Sequence, residues 1–102
     1  MMVKNDYGVK RITMCPEAIC YCPLGKDWYT NKFEVVMTVK DMIPDYCEVE
    51  EWLDENLRGK PLIIEEAIDR FREYLSETYS PASLEITSTV SDAKHFPVSV
   101  EA

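Results

Sequence analysis

The chain has 102 residues, 46% of them hydrophobic and 29% charged, a balance typical of one folded globular domain covering residues 1–102. Its formal net charge of −8 opposes binding to a polyanion, so no nucleic acid is expected as a partner. No apolar run reaches the roughly 20 residues that cross a bilayer, and the N-terminus lacks a secretory pattern. We therefore expect a cytoplasmic protein with no membrane partner and with reduced thiols at Cys15, Cys20, Cys22 and Cys47.

The first part of the chain predicts two strands separated by an irregular segment. Residues 9–14 and 32–40 are rich in β-branched and aromatic residues, and in the second stretch apolar side chains occupy alternate positions. Between them, residues 15–31 contain two prolines and a glycine, which interrupt regular structure. We predict a long connection over 15–31, of the kind that often carries functional residues.

The middle of the chain predicts two amphipathic helices. From Asp45 onwards, apolar residues recur three or four positions apart while acidic residues take the other face. Asp45 suits an N-cap, and Gly59 and Pro61 are the expected stop signals. A second apolar stripe of the same period predicts a helix over roughly 65–79, with acidic residues in its positive first turn.

Two more stretches of alternating residues, 84–90 and 96–100, predict a final pair of strands. The order strand, strand, helix, helix, strand, strand indicates an α+β fold, in which a four-stranded antiparallel sheet carries two helices on one face. So small a sheet leaves exposed edges, and pairing with copies of itself would close them into a barrel. A homo-oligomer is therefore expected.

Two strings of residues carry a resemblance to a known family. DYCEV at 45–49 looks like that family's start of the first helix, and GKPLIIE at 59–65, with Arg70 five residues later, looks like its approach to the second. Over residues 33–90 the chain resembles the tunnelling-fold enzymes, most closely dihydroneopterin aldolase. The resemblance implies a tetramer or octamer that binds a pterin or purine-like substrate between subunits. It also implies retro-aldol cleavage of dihydroneopterin in folate biosynthesis, with no metal and no organic cofactor.

By matching position, the resemblance makes Glu65 the residue that grips the amide and amino edge of a pterin ring. A carboxylate has two acceptor oxygens, so it can take paired N–H donors from such an edge. From helix position alone, Glu65 is also explained as a first-turn residue stabilised by the helix dipole, and Glu66 is its rival if the helix starts one residue later. Tyr46 would lie near the reacting part of the substrate, or else begin the apolar stripe of the first helix.

The proton-transfer groups of the aldolase depart from the family pattern. Its lysine-proline pair after the third strand is replaced here by Ser91-Asp92, and Lys94 follows three residues later. The chain has a single histidine, His95, on which any imidazole acid–base step depends. Lys94 and His95 are therefore the candidates for proton transfer, although both could be solvated turn residues.

A second tunnelling-fold likeness leads to a different chemistry. The nitrile reductase acting on 7-cyano-7-deazaguanine forms a covalent thioimide through a cysteine followed by proline, with an aspartate further on, and Cys22-Pro23 and Asp27-Trp28 look similar. The spacing is two residues shorter here, and Cys20 has the longer spacing but no proline. The reductase's nicotinamide motif is not evident, and a related amidine-forming use of the thioimide needs no nicotinamide. In this alternative the substrate is a deazapurine, and the expectation of no nucleic acid partner no longer holds.

The same residues also have structural interpretations. Cysteines are commonly buried and unreactive, and Cys15, Cys20, Cys22 and His95 together would offer four zinc ligands. Because C-x-C is not the spacing of a zinc knuckle, no metal is predicted. Trp28 can pack in the core or cover a flat ring. A third hypothesis is a binding or assembly module that keeps the fold without catalysis.

Overall fold

The computed structural model describes residues 2–102; Met1, the first residue of the predicted domain, lies outside that range. Its elements are β1 (Met2–Lys4), β2 (Arg11–Met14), β3 (Glu17–Cys22), β4 (Asp27–Thr38), β5 (Met42–Pro44), α1 (Tyr46–Asn56), α2 (Ile64–Tyr79), β6 (Ser83–Val90) and β7 (Val98–Glu101). The main sheet is antiparallel and carries the two helices, so the predicted α+β fold is confirmed. The short pair of β1 with β5 was not predicted.

The long strand β4 is the centre of the main sheet. On one side it pairs with β6, which in turn pairs with β7, and on the other side it pairs with both β2 and β3. Only Cys15 and Pro16 separate β2 from β3, and the amide of Phe33 on β4 still donates to the carbonyl of Pro16 at 2.9 Å. β2 and β3 therefore occupy one position in the sheet, with a break between them. The five strands thus fill four positions across the sheet, which is the number of strands that the sequence predicts.

The prediction of a long irregular connection over 15–31 is wrong. Most of it is a β-hairpin, in which β3 pairs with the first half of β4 and Cys22 lies opposite Asp27. Pro16 falls at the break between β2 and β3, and Pro23 falls in the turn, so neither proline removes an amide that the ladder needs. The turn closes with a bond from the amide of Lys26 to the carbonyl of Cys22 at 2.8 Å.

Both helices lie close to their predicted ranges. The carboxylate of Asp45 accepts hydrogen bonds from the amides of Cys47 (3.0 Å) and Glu48 (3.3 Å), which confirms it as the N-cap of α1. α2 buries its predicted stripe, and its Phe71 ring meets Phe33 of β4 edge to face at 4.9 Å. Tyr46 is 57% exposed, so its interpretation as a core residue is wrong. The buried residues of α1 are Val49 and Leu53.

The connection between the helices covers the outer edge of β3. Gly59 donates to the carbonyl of Ile19, and the backbone of Tyr21 bonds to Lys60 and Leu62, all at 2.8–3.0 Å. Gly59 has a φ of 77°, which a glycine adopts without strain at the turn out of α1. Within residues 2–102, β7 pairs with one strand only, which leaves it as an edge of the sheet. No helix in this range is long and apolar enough to span a membrane.

Candidate functional site

A small cavity lies where the β3–β4 hairpin, the loop after β6 and the start of α2 meet. Its volume is about 40 Å³, and we call it the Cys22 cavity; it is lined by Cys22, Gly25, Asp27, Trp28, Tyr29, Ile64, Ala93, Lys94 and His95. Five of the residues singled out from the sequence line it together: Cys22, Asp27, Trp28, Lys94 and His95. The volume is that of one or two water-sized groups, so the cavity holds a small reacting group rather than a whole ring.

Cys22 and Asp27 are direct cross-strand partners at the end of the hairpin. Side chains of such a pair lie on the same face of a sheet, with their Cβ atoms typically about 4.5–5.5 Å apart. The turn thus places the carboxylate opposite the thiol even though the sequence spacing is shorter than in the nitrile reductases. The amide of Gly25 donates to Cys22 Sγ at 3.4 Å, which holds the sulfur at the end of the hairpin.

Cys20 lies on the same face of β3 but is fully buried. Its thiol donates to the carbonyl of Leu57 at 3.2 Å and accepts from the side-chain amide of Asn31 at 3.5 Å. Burial raises the pKa of Cys20, and the hydrogen bond from Asn31 offsets only part of that rise. A buried thiol with a raised pKa is a poor nucleophile, so the structure favours Cys22 over Cys20 for any covalent chemistry.

The four-ligand zinc arrangement is not formed. Cys20 points into the core, and Cys15 lies at the break between β2 and β3, where it lines a different groove. Among residues 2–102, no three histidine, cysteine or acidic side chains are grouped as metal ligands.

Lys94 and His95 reach the Cys22 cavity from the loop that joins β6 to β7. Lys94 Nζ is 3.9 Å from Asp27 Oδ2, while the other oxygen of Asp27 accepts the amide of Trp28 at 2.8 Å. His95 Nδ1 lies 2.7 Å from the carbonyl of Phe96. Because a carbonyl only accepts, Nδ1 carries the proton, and Nε2 of the neutral ring is a basic nitrogen. The predicted strand 96–100 begins only at Val98, so this loop is longer than expected.

Glu65 is exposed in the first turn of α2, next to Ile64 of the cavity wall. The rival residue, Glu66, accepts a long hydrogen bond of 3.5 Å from the amide of Ile63, which ties its carboxylate to the helix start. This leaves Glu65 as the better candidate for binding a ligand. The Glu65 carboxylate is also close enough to Tyr29, a buried residue of the cavity wall, to contribute to the raised pKa of its hydroxyl.

Tyr29 is a site residue that the sequence analysis missed. It is buried, and its hydroxyl donates to the carbonyl of Leu62, which ties β4 to the start of α2. Burial is the main cause that raises the pKa of Tyr29, and the nearby thiols and the Glu65 carboxylate raise it further. The signal was present in the sequence, since Tyr29 falls in step with the alternate apolar positions that begin at Phe33, although the polar Asn31 interrupts them.

Trp28 and Tyr46 have different places relative to this site. Trp28 is 53% exposed, meets the ring of Tyr21 edge to face at 5.3 Å, and lines both the Cys22 cavity and a wide concave surface of about 1140 Å³. It can therefore cover a flat ring that extends from the cavity. Tyr46 lies in a separate groove beside Cys15 and Val49, so the described chain does not bring it to the Cys22 cavity.

No family model matches this chain, and no curated protein matches it either. Among solved structures, the crystal structure of the archaeosine synthase QueF-Like in the apo form superposes with a TM-score of 0.83. The alignment covers 93% of each chain at 18% sequence identity. This likeness shows that the chain has the tunnelling fold, as the sequence predicts. The matched structure is that of an archaeosine synthase, not of a dihydroneopterin aldolase.

Proposed function

We propose that this protein is a thioimide-forming enzyme that converts the nitrile of a 7-cyano-7-deazaguanine-type base into an amidine, with Cys22 as its nucleophile. The observation that carries the proposal is that Cys22, Asp27, Lys94 and His95, from separate parts of the chain, line one small cavity. The likeness in fold to an archaeosine synthase supports a deazapurine substrate. No such support exists for a pterin.

The first step is addition of the Cys22 thiol to the nitrile carbon. The carbon–sulfur bond forms as one π bond of the carbon–nitrogen triple bond opens, and the nitrile nitrogen takes a proton. Asp27, opposite Cys22 in the hairpin, accepts the thiol proton and returns it to that nitrogen. Lys94 Nζ lies 3.9 Å from Asp27 Oδ2, so its ammonium is close to the carboxylate that acts as the base.

The second step is attack of ammonia on the thioimide carbon. A carbon–nitrogen bond forms, the carbon–sulfur bond breaks, and Cys22 leaves as a thiolate. His95 takes the proton that the attacking ammonia loses, through its basic Nε2, and returns it to the Cys22 thiolate, which restores the thiol. The sum is nitrile plus ammonia to amidine, which needs no oxidant, reductant or nicotinamide.

Binding of the base falls to groups at the rim of the cavity and next to it. Glu65 accepts two N–H donors from the guanidine-like edge, and Trp28 covers the ring on the side of the wide concave surface. The cavity of about 40 Å³ takes only the nitrile, so a second copy joined at the open sheet edges would complete the ring site. A homo-oligomer is therefore part of the proposal. The charge of −8 makes the free base the first substrate to test.

The aldolase hypothesis receives less support. Tyr46, its proposed site residue, lies away from the Cys22 cavity in the described chain, and the fold comparison favours the deazaguanine enzymes. Incubation with dihydroneopterin should give no glycolaldehyde, and release of that product at a rate that depends on Lys94 would restore the hypothesis.

The proposal is tested by incubating the protein with 7-cyano-7-deazaguanine and ammonium chloride and following the amidine by mass spectrometry. We expect amidine from the wild type and from a Cys47→Ala control, whose cysteine is exposed and lies outside the cavity. Cys22→Ala should give none. Equal product from Cys22→Ala would overturn the proposal, and tight binding without product in the wild type would favour a non-catalytic module.

A further inference from the structure

Asp92 bonds the loop after β6 to the first half of β4. β6 pairs with β4 only from Lys32 onwards, so the amide of Thr30 lies beyond that ladder. The Asp92 carboxylate takes the place of the missing strand: Oδ1 accepts the amide of Thr30 at 2.9 Å, and Oδ2 accepts its hydroxyl at 2.7 Å. Both bonds lower the pKa of Asp92; the bond from the Thr30 amide has the larger effect, and the bond from its hydroxyl has the next largest.

The residues that follow Asp92 form one wall of the Cys22 cavity. They are Ala93, Lys94 and His95. The ion pair of Lys94 with Asp27 is long and exposed, and such pairs contribute little to holding a segment in place. The hydrogen bond of His95 is to its own neighbour, Phe96, so it does not connect the loop to the sheet. The two bonds from Thr30, at 2.9 and 2.7 Å, are thus shorter than the 3.9 Å ion pair that also connects this wall to the strand that carries Asp27.

We propose that Asp92 is a positioning residue, which bonds to Thr30 and thereby holds Lys94 and His95 over the Cys22 thiol. The assignment of a catalytic consequence rests on the proposed amidine chemistry, whereas the placement of the wall does not. Loss of the two bonds frees the wall to move away from β4. Cys22 then becomes more accessible, and the proton-transfer groups lose their alignment with it.

The first test measures the rate at which iodoacetamide alkylates Cys22, in a background where the exposed Cys15 and Cys47 are replaced by serine. Asp92→Ala should raise this rate several-fold. Asp69→Ala is the matched control, because Asp69 makes an exposed ion pair with Arg72 on α2, away from the cavity. Unchanged alkylation in Asp92→Ala would overturn the proposal, and this readout holds even if the protein never forms an amidine.

The second test uses the amidine reaction and a pair of variants at Thr30. A misplacement of catalytic groups by about 1 Å can cost on the order of 100-fold in rate, so Asp92→Ala should lower kcat strongly. KM for the base should change much less, because Glu65 and Trp28 lie outside the loop. Thr30→Val should lower kcat and Thr30→Ser should restore it, since serine keeps the hydroxyl. A rise in KM together with a fall in kcat, with no rescue by serine, would indicate general loss of structure and would overturn the positioning role.

Discussion

The hydroxyl of Tyr29 offers a sharp test of how the start of α2 is held on the sheet. Tyr29 is 3% exposed and Leu62, whose carbonyl accepts its hydrogen bond, is 2% exposed. Tyr29→Phe removes the donor and leaves a buried carbonyl that water does not reach, which costs about 1–3 kcal/mol of unfolding free energy. This is a large part of the roughly 5–15 kcal/mol that stabilises a domain.

Urea denaturation followed by circular dichroism measures this loss. With a denaturant slope of about 1–3 kcal/mol/M for a small protein, the midpoint should fall by roughly 1 M. Tyr7→Phe is the matched control, because Tyr7 is 77% exposed and its hydroxyl is open to water; its effect should stay within about 0.5 kcal/mol. Equal midpoints for the two variants would refute the role given to the Tyr29 hydroxyl.

Four further outcomes are expected. Because the pKa of Tyr29 is raised in the folded state, unfolding free energy should fall as the pH rises above about 10, where only the unfolded tyrosine ionises, and Tyr29→Phe should reduce that fall. Asp45→Ala removes the two cap bonds of α1 and should lower unfolding free energy by about 1 kcal/mol in urea titrations. Glu65→Ala should weaken binding of the deazaguanine base, measured by calorimetry, by about 10–100-fold, since it removes charged hydrogen bonds, whereas the exposed Glu77→Ala at the far end of α2 should not. Cys20 should resist alkylation in the native protein and react only in denaturant, as mapped by peptide mass spectrometry.

The helices were predictable because their signals are local. An apolar stripe of the helical period, a capping aspartate and a terminal glycine all act within a few residues of each other, and the structure keeps Asp45 and Gly59 in those roles. The order of elements then determined the fold class, since two strands on each side of a helix pair build one sheet with a helical layer.

The hairpin was missed because its breaking residues lie where the ladder does not need them. Pro16 occupies the interruption between β2 and β3, and Pro23 occupies the turn, so β3 was hidden between two prolines and the start of β4, with Tyr29, was hidden behind the second. The sequence shows that a proline cannot donate a backbone hydrogen bond to a neighbouring strand. It does not show whether the sheet needs a donor at that position.

The members of the Cys22 cavity could be named individually, but their convergence could not be predicted. It depends on the register that places Asp27 opposite Cys22, and on the Asp92–Thr30 bonds between residues 62 positions apart. The preference for Cys22 over Cys20 likewise depends on the burial of the Cys20 thiol against Leu57 and Asn31, and this burial is a property of the packed core. Such contacts are tertiary, and no local pattern encodes them.

The central claim is that Cys22 attacks a nitrile carbon, and the intact mass of the protein tests it most directly. After incubation with 7-cyano-7-deazaguanine in buffer free of ammonia, the wild type should gain the full mass of one nitrile molecule per chain, since thioimide formation is an addition that releases nothing. Peptide mapping should locate that mass on the peptide with Cys22, and Cys22→Ala should show no gain. An adduct that persists in Cys22→Ala, or the absence of any adduct on a wild-type protein that binds the base, would contradict the account.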